Sequence, residues 1–577
     1  MQRQAVTGDT PWRKRVVIAL LAAGAAAVVW RAMMLHLFPE EISAKLPYRV
    51  KQHIGKMLIP ARRGEIVDRT GEVLALSTPM VTVGCNPQKF PDSVEKRAAL
   101  AKLLGKTDRW LKKKLERYED KRYIPLKKQV EPETKQKIAA LKIKGVEFRR
   151  GSRRFYPEGE AMASMIGFTN QQDVGQEGVE LAYDSWLDGK PEQVRVVRDA
   201  VGKSIETLSL IERGEEGKRL HLTLDRRLQF LAYRSLNRAL KEFDAESGTV
   251  VVLDSDRSEI LAMVSLPSFN PNDLAQRKGG ALRNRAVTDL LEPGSTMKPF
   301  TVAAAMENGI VTTSTTIDTS PGTLRVGRKT IREFRNHNYK EVNMARLLQK
   351  SSNVGSAMVA LMMKPQQFWR VLDLAGIGEE TGSTFPGEGT GVLRDYARWR
   401  KVEQATLSYG YGMSMTPLQL ARAYTAIAED GMIRPITFLQ SEEAERDQES
   451  RRVFSAKTAK DVRLMMEKVT QEGGTARRAR VKEYRVAGKT GTVDKLVGGR
   501  YADADGKPFG HTALFAGMAP VEDPRVVVVV VVDGPKGKYY TGGAVAAPVF
   551  SEVMGGALRV LGIPPEVTDD LKSASHG

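Results

Sequence analysis

The sequence predicts an α+β protein in three parts. These are an N-terminal transmembrane helix, an elongated pedestal, and a C-terminal domain in which helices cover one antiparallel sheet beside an all-helical lobe. Three observations carry this reading. An uninterrupted apolar run, VVIALLAAGAAAVVW, follows the basic WRKR near the start. Short strand patterns then alternate with basic helical patterns up to about Leu220. Beyond His221, strand patterns stand at both ends of a region whose middle is helical, as expected when one sheet is closed by chain from either side of a helical insert.

Residues 1–15 read as a cytoplasmic tail and residues 16–38 as the membrane helix. From Val16 to Phe38 the segment is apolar enough and long enough, since a span needs roughly 20 residues. Arg31 and His36 near its far end are placed to snorkel towards headgroups. A cleaved signal peptide is the competing reading, because AAGAAA suits a peptidase. The apolar stretch runs past that point and no small-residue site follows, which favours a retained anchor. Arg13, Lys14 and Arg15 put the N-terminus in the cytoplasm by the positive-inside rule, and the chain from about Pro39 onward beyond the membrane. The valine run Val526 to Val532 is too short to span and reads as a buried strand.

Residues 39–220 form the pedestal. IPARRGEIVDRTGEVLALS reads as strand, Asp-Arg-Thr-Gly turn, strand. DRWLKKKLERYEDK and EPETKQKIAALKI are helical, each opening with acids that suit a positive helix N-terminus. SRRFYPEGEAMASMIGFTN and GQEGVELAYDSWLDGK read as loop-rich. Arg62, Arg63, Arg153 and Arg154 fit either partner binding or internal bracing.

Residues 221–565 form the C-terminal domain, and residues 566–577 a flexible tail. TLDRRLQFLAYRSLNRALKEF is a long amphipathic helix opened by Thr223 and Asp225, and SGTVVVLDSDRSEILAMVS a hairpin. A mostly helical stretch runs to about Gln471. YRVAGKTGTV, HTALFAGMAP and RVVVVVVVD are strands, and GAVAAPVFSEVMGGALRVL is a closing helix.

Composition removes several functions. The formal net charge of +20 invites a nucleic-acid reading, but the basic residues are interspersed with acids. No zinc-finger spacing or RNP-type aromatic motif accompanies them. A basic surface facing an anionic membrane or polymer fits equally well. The lone Cys85 excludes an internal disulfide framework and a cysteine-rich metal site. The six histidines are scattered, and none forms His-Glu-x-x-His. No metal or organic cofactor is expected.

Catalytic chemistry is signalled by EPGSTMKPF, Glu292 to Phe300. Ser295 enters a helix and Lys298 lies one turn on, facing the same way. Alone the pattern is weak. Ser-x-x-Lys recurs at Ser93 to Lys96, where a capped surface helix is the obvious reading. QKSSNVGS adds Ser351-Ser352-Asn353 at a break between a helix begun near Asn343 and one beginning with Val354. VAGKTGT adds Lys489-Thr490-Gly491-Thr492 at the end of a strand. Ser-x-x-Lys, Ser-x-Asn and Lys-Thr-Gly in this order form the signature of β-lactamases and penicillin-binding proteins.

With its flanks, the chain resembles a class B penicillin-binding protein of the septal FtsI type. RNRAVTDLLEPGSTMKP, LLQKSSNVG, SYGYGMSMTPLQLARAY and KTGT resemble the transpeptidase domain of that family. ARRGEIVDRTGEVLA, SRRFYPEGEAMASMIGFTN and GQEGVE resemble its non-catalytic pedestal. The resemblance implies a penicillin-binding/serine β-lactamase-like fold and a peptidoglycan stem peptide ending in D-Ala-D-Ala as substrate. It implies Ser295 as nucleophile, Lys298 as its proton partner and Ser351 as relay to the leaving nitrogen. Asn353 would bind the donor's side-chain amide and steady Lys298. Lys489, Thr490 and Thr492 would hold the terminal carboxylate, and Gly491 would leave the edge strand open to the peptide. β-Lactams would acylate Ser295. Partners implied are the bacterial inner membrane and other membrane division proteins, including a lipid II polymerase; nucleic acid is not among them.

Two rivals are weighed on residues. A class A β-lactamase needs Glu-x-x-Leu-Asn, and the residue three before Leu236-Asn237 is Tyr233. A non-enzymatic β-lactam sensor or division scaffold would be expected to have lost a motif, and all three are present. YGYGM, Tyr409 to Met413, reads as structural.

Overall fold

The computed structural model describes residues 11–37, 54–59, 61–198, 204–440, 450–496, 498–503, 505 and 508–566. Most of the expected cytoplasmic tail and all but the first residue of the C-terminal tail lie outside these, as do Phe38 and the first residues of the expected pedestal. Pro11–Leu37 forms one helix, α1, with an apolar stretch Arg15–Met34 of 20 residues that is not buried against any of the described residues. By length and composition it can cross a membrane.

The pedestal is built on strands. β1 (Ile54–Ile59) pairs with β6 (Glu192–Arg198), and β6 with β7 (Ser204–Glu212). β2 (Ile66–Val67) and β3 (Val73–Cys85) make the expected turn. Asp68 Oδ1 accepts the amides of Thr70 and Glu72 at 2.8 and 3.0 Å, and Gly71 takes φ +89°. β2 also pairs in parallel with β8 (Leu220–His221).

β3 continues outward between β4 (Ile124–Val130) and β5 (Val146–Phe155). α2 (Val94–Leu103), α3 (Asp108–Arg117) and α4 (Pro132–Ala140) complete this outer head. It has its own small core, which includes Val83, Leu100, Leu111 and Ile138. Cys85 is buried in that core, and burial pushes its thiol up to about 12.

SRRF, expected in a loop-rich segment, forms the end of β5. Its arginines alternate with no apolar face, so strand periodicity is absent there.

Among the described residues, the inner pedestal shares its core with the C-terminal domain. Ile66, Leu74, Tyr156 and Met165 belong to the same buried cluster as the C-terminal sheet. Arg63 and Arg154 are braces: both Nε atoms donate to Glu180 at 2.7 Å, and all three side chains are buried. Arg62 is exposed and Arg153 half-buried.

The C-terminal domain is one antiparallel five-stranded sheet. Its order is β10 (Ile260–Leu266), β9 (Ser247–Asp254), β13 (Val526–Asp533), β12 (His511–Ala519), β11 (Ala487–Asp494). The valine run is the central strand, paired on both sides and covered on both faces, which is why it carries no polar alternation. α5 (Arg226–Glu242) and α11 (Gly542–Val560) cover one face and α9 (Pro417–Ala428) the other. Asp225 caps α5 through its carboxylate. Thr223 instead donates to Ile260 O at 2.8 Å, tying the helix entrance to the sheet.

The intervening stretch holds α6 (Lys298–Glu307), α7 (Met344–Lys350), α8 (Asn353–Met362) and α10 (Ala456–Glu467). It is less purely helical than the sequence suggests. Two small two-stranded sheets, Thr316–Asp318 with Glu341–Asn343 and Thr323–Val326 with Lys329–Arg332, lie before α7.

Candidate active site

The three motifs meet beside β11, the edge strand of the sheet. Pro293 to Lys298 makes a tight turn into α6: Gly294–Met297 is a 3-10 helix and Lys298 the first residue of the α-helix. Ser295 and Lys298 therefore share one face, as the spacing predicts.

The turn is set against β11 by two glycines. Gly294 takes φ +55°, and a Cβ there would lie 2.5 Å from Val493 Cγ2. A Cβ on Gly491 would crowd Thr296, Leu514 and Pro293 at 3.1 to 3.2 Å. The bare backbone of Gly491 thus admits the Ser295 turn itself.

A third glycine belongs to YGYGM. Gly410, at φ +80°, lies against Gly294, where a Cβ would come within 2.1 Å of the Gly294 carbonyl oxygen; Gly294 N donates to Gly410 O at 3.2 Å. Tyr424, fully buried on α9, donates its hydroxyl to Thr296 O at 2.7 Å.

The second motif is a helix break whose chemistry is local. Asn343 caps α7, and Ser351 ends it in left-handed conformation, φ 59° and ψ 44°. Ser352 then caps α8, its Oγ accepting Gly355 N at 2.8 Å. α8 starts at Asn353, one residue earlier than expected. This reversal turns both the carbonyl and the hydroxyl of Ser351 towards the lysines.

Lys298 Nζ donates to Ser351 O at 2.6 Å and to Asn353 Oδ1 at 2.8 Å, with Ser351 Oγ at 3.1 Å. Lys489 Nζ donates to Ser351 Oγ at 2.9 Å and to Thr490 O at 3.1 Å. Among the described residues, Ser295 Oγ has no hydrogen-bond partner; it stands half-buried at the site.

Both lysines are fully buried. Burial lowers Lys298 to about 7, and Glu333 pulls it partly back up. Burial and the neighbouring Lys298 charge together push Lys489 well down. Two ammonium groups sharing Ser351 disfavour each other, so the pair gives up a proton far below the usual lysine range. Two of the contacts of Lys298 suit the N–H bonds of a neutral amine. Its third neighbour, the Ser351 hydroxyl, accepts from Lys489.

The hydroxyls of the third motif are oriented by neighbours. Thr490 Oγ1 lies 2.9 Å from Thr475 Oγ1. Thr492 Oγ1 accepts the amide of Gly542 at 3.1 Å, which leaves its proton for an incoming acceptor. Ser93, the other Ser-x-x-Lys serine, is the cap of α2 and accepts Lys96 N at 3.3 Å.

Two acids near the site carry no motif. Glu333 is buried and spans the start of α8: Oε2 accepts Asn353 N at 2.7 Å, while Oε1 accepts Val354 N at 3.3 Å and the Ser352 hydroxyl. A carboxylate there is matched to the positive helix N-terminus. Glu292 accepts Gly412 N at 2.8 Å and the Tyr501 hydroxyl at 2.8 and 3.0 Å, tying Tyr501 to the approach of Ser295. The only sequence signal for Glu292 is its place just before Pro293; Glu333 has none.

A serine beside a buried lysine pair, at the open edge of an antiparallel sheet, defines a serine acyl-transfer site of the penicillin-recognising class. Residues 248–555 match the penicillin binding protein transpeptidase domain, and residues 58–222 the penicillin-binding protein dimerisation domain. The chain is 37% identical over 566 residues to the peptidoglycan D,D-transpeptidase FtsI of Escherichia coli, covering 96% of this chain and 93% of that one. It is 39% identical over 511 residues to the probable peptidoglycan D,D-transpeptidase PenA of Neisseria meningitidis, covering 88% and 86%. The apo transpeptidase domain of Burkholderia pseudomallei penicillin-binding protein 3 matches in structure with TM-score 0.54 and 39% identity, covering 60% of this chain and 98% of that one. The chain belongs to the class B penicillin-binding proteins.

Proposed function

We infer that this chain is a peptidoglycan D,D-transpeptidase that cross-links stem peptides at the division septum. The observation that carries the reading is the bridge between Lys298 and Lys489 through the Ser351 hydroxyl, with Asn353 on Lys298 and Ser295 in the turn that leads into Lys298.

In the proposed reaction Ser295 Oγ attacks the penultimate carbonyl of a D-Ala-D-Ala terminus, and neutral Lys298 takes its proton. The backbone N–H groups of Ser295 and Thr492 receive the oxyanion, a stabilisation of about 3 kcal/mol per donor. Ser351, donated to by Lys489 and facing Lys298, passes a proton to the leaving D-Ala nitrogen. The acyl-enzyme then gives its acyl group to an acceptor amine, whose proton returns by the same route. Asn353 fixes Lys298 and binds the donor's amide. Lys489, Thr490 and Thr492 hold the terminal carboxylate, and β-lactams are captured by the same groups.

The division 16–38, 39–220 and 221–565 assigns these roles to the last segment, with the shared core tying it to the pedestal. Arg13, Lys14 and Arg15 favour a cytoplasmic N-terminus, so the reaction takes place on the outer side of the inner membrane. The pedestal is proposed to meet other membrane division proteins, among them a lipid II polymerase.

The test is labelled penicillin on purified protein. Label is expected on Ser295 alone and absent in Ser295→Ala; label on Ser93, or undiminished label in the variant, contradicts the assignment. A periplasm-active reporter fused after Gly577 reports orientation, and its inactivity in intact cells would reverse the topology.

A further inference from the structure

A second cavity lies away from the acyl-transfer site, at the junction of the pedestal head with the C-terminal domain. Its volume is about 740 Å³. The end of β10 leads into the loop carrying Asn272 to Arg277, which forms one wall; α3, β4 and the β5 end form the others.

The lining is cationic. It includes Lys106, Lys114, Lys127, Lys128, Arg153 and Arg277 against one acid, Asp273. The carboxylate of Asp273 is occupied by its own loop, accepting Ala275 N at 2.9 Å and Gln276 Nε2 at 3.1 Å. None of the six cations has a carboxylate within ion-pair distance among the described residues.

Their contacts are neutral ones. Arg153 donates to Asn272 O at 2.9 Å, Arg277 to the carbonyls of Pro271 and Thr169, and Lys106 and Lys114 flank the Trp110 ring at 5.6 and 4.8 Å. Beneath them Arg154 is buried and bound to Glu180, yet its Nη2 has no hydrogen-bond partner. Arg277 is lowered by burial with Arg153 adding to it, and Lys114 by burial with Lys106 adding to it. Converging cations without counterions repel one another, and a protein surface spreads such charges apart unless an anion offsets them.

We propose that this cavity binds a small multivalent oxyanion, one carrying two or more clustered phosphate or carboxylate groups. The guanidinium fork of Arg153 matches either group, Arg277 adds its charge while its own fork stays on the Pro271 carbonyl, and Lys127 and Lys128, both exposed on β4, supply point charges at the mouth. Because the cavity is walled by both the pedestal and the C-terminal domain, an occupant joins the two through charge-assisted hydrogen bonds.

The experiment is calorimetric titration of the full chain in non-ionic detergent with sodium pyrophosphate and, separately, sodium citrate, against sodium chloride of matched ionic strength. One saturable site is expected, with a parallel change in Trp110 fluorescence that is lost in Trp110→Phe. Lys127→Gln with Lys128→Gln should weaken it about tenfold while penicillin acylation stays as in the parent, which shows that the variant is folded. Pyrophosphate binding alone identifies a phosphate ligand, citrate binding alone a carboxylate one, and both a site for either. Heat that follows chloride, or an affinity unchanged in the double variant, overturns the proposal.

Discussion

The Nζ of Lys298 lies 2.6 Å from the carbonyl oxygen of Ser351, a residue whose left-handed backbone turns that carbonyl towards the lysine. This contact, with Asn353 Oδ1 at 2.8 Å, holds the amine in a fully buried place where its charged form is disfavoured. In the proposed reaction, acylation depends on how the Lys298 and Lys489 pair titrates.

The acylation rate should rise with pH through about 7, where burial places Lys298. Below that pH the amine is protonated and has no lone pair for the Ser295 proton; above it the base is free and the rate levels off. The check is the second-order rate constant for labelled penicillin measured from about pH 6 to about pH 8. A flat profile across that range removes a titrating lysine from the rate law.

Glu333 should prove a positioning residue with an electrostatic signature. Its carboxylate accepts from Ser352 and from the amides of Asn353 and Val354, and its charge raises Lys298. Glu333→Gln keeps an acceptor but removes the charge, so the midpoint of the acylation profile should move to lower pH with a modest loss of stability. Glu333→Ala also orphans buried donors, at about 1–3 kcal/mol each, and should lower Tm clearly. A purely structural role would lower Tm in both and leave the midpoint in place.

Gly410→Ala should lose acylation. The added Cβ meets Gly294 O at 2.1 Å in a left-handed backbone, so the Ser295 turn must shift. Left-handed conformation alone costs roughly 1–2 kcal/mol for a non-glycine residue. The expected result is a folded protein, with Tm a few degrees lower and acylation reduced by more than tenfold. Acylation at the parent rate would show that the turn is not held by YGYGM.

The motif-bearing elements were legible because their ends are written locally. Asn343 and Ser352 are side-chain caps, Pro299 follows the Ser295 turn, and the Val526 run is a strand covered on both faces. Glu333 was not legible. It reaches α8 from the end of a small sheet some twenty residues upstream, with no spacing rule linking carboxylate to helix. The core shared between the inner pedestal and the C-terminal sheet was hidden for a similar reason, since Ile66 and Tyr156 meet it only through tertiary packing. The neighbours of Gly491 were not legible either: the family resemblance implies an edge left open to a peptide, and only tertiary packing brings the Ser295 turn against its bare backbone.

The two lysines, both buried and both touching Ser351 Oγ, should still separate by substitution. Lys298 is proposed to handle a proton, and arginine cannot release one in a protein, so Lys298→Arg should be nearly as damaging as Lys298→Ala. Loss of a general base costs about 10²–10⁴ in rate. Lys489 lies on the edge strand beside Thr490, with two hydroxyls and a carbonyl as its acceptors, and its proposed main task is to hold an anion. A guanidinium fork performs that task in part, so Lys489→Arg should keep measurable penicillin acylation while Lys489→Ala loses most of it. The rates are compared as second-order acylation constants on folded protein, with Tm as the control for packing the larger side chain. Equal loss in the two arginine variants would contradict the division of labour, and a tolerated Lys298→Arg would remove Lys298 as the base.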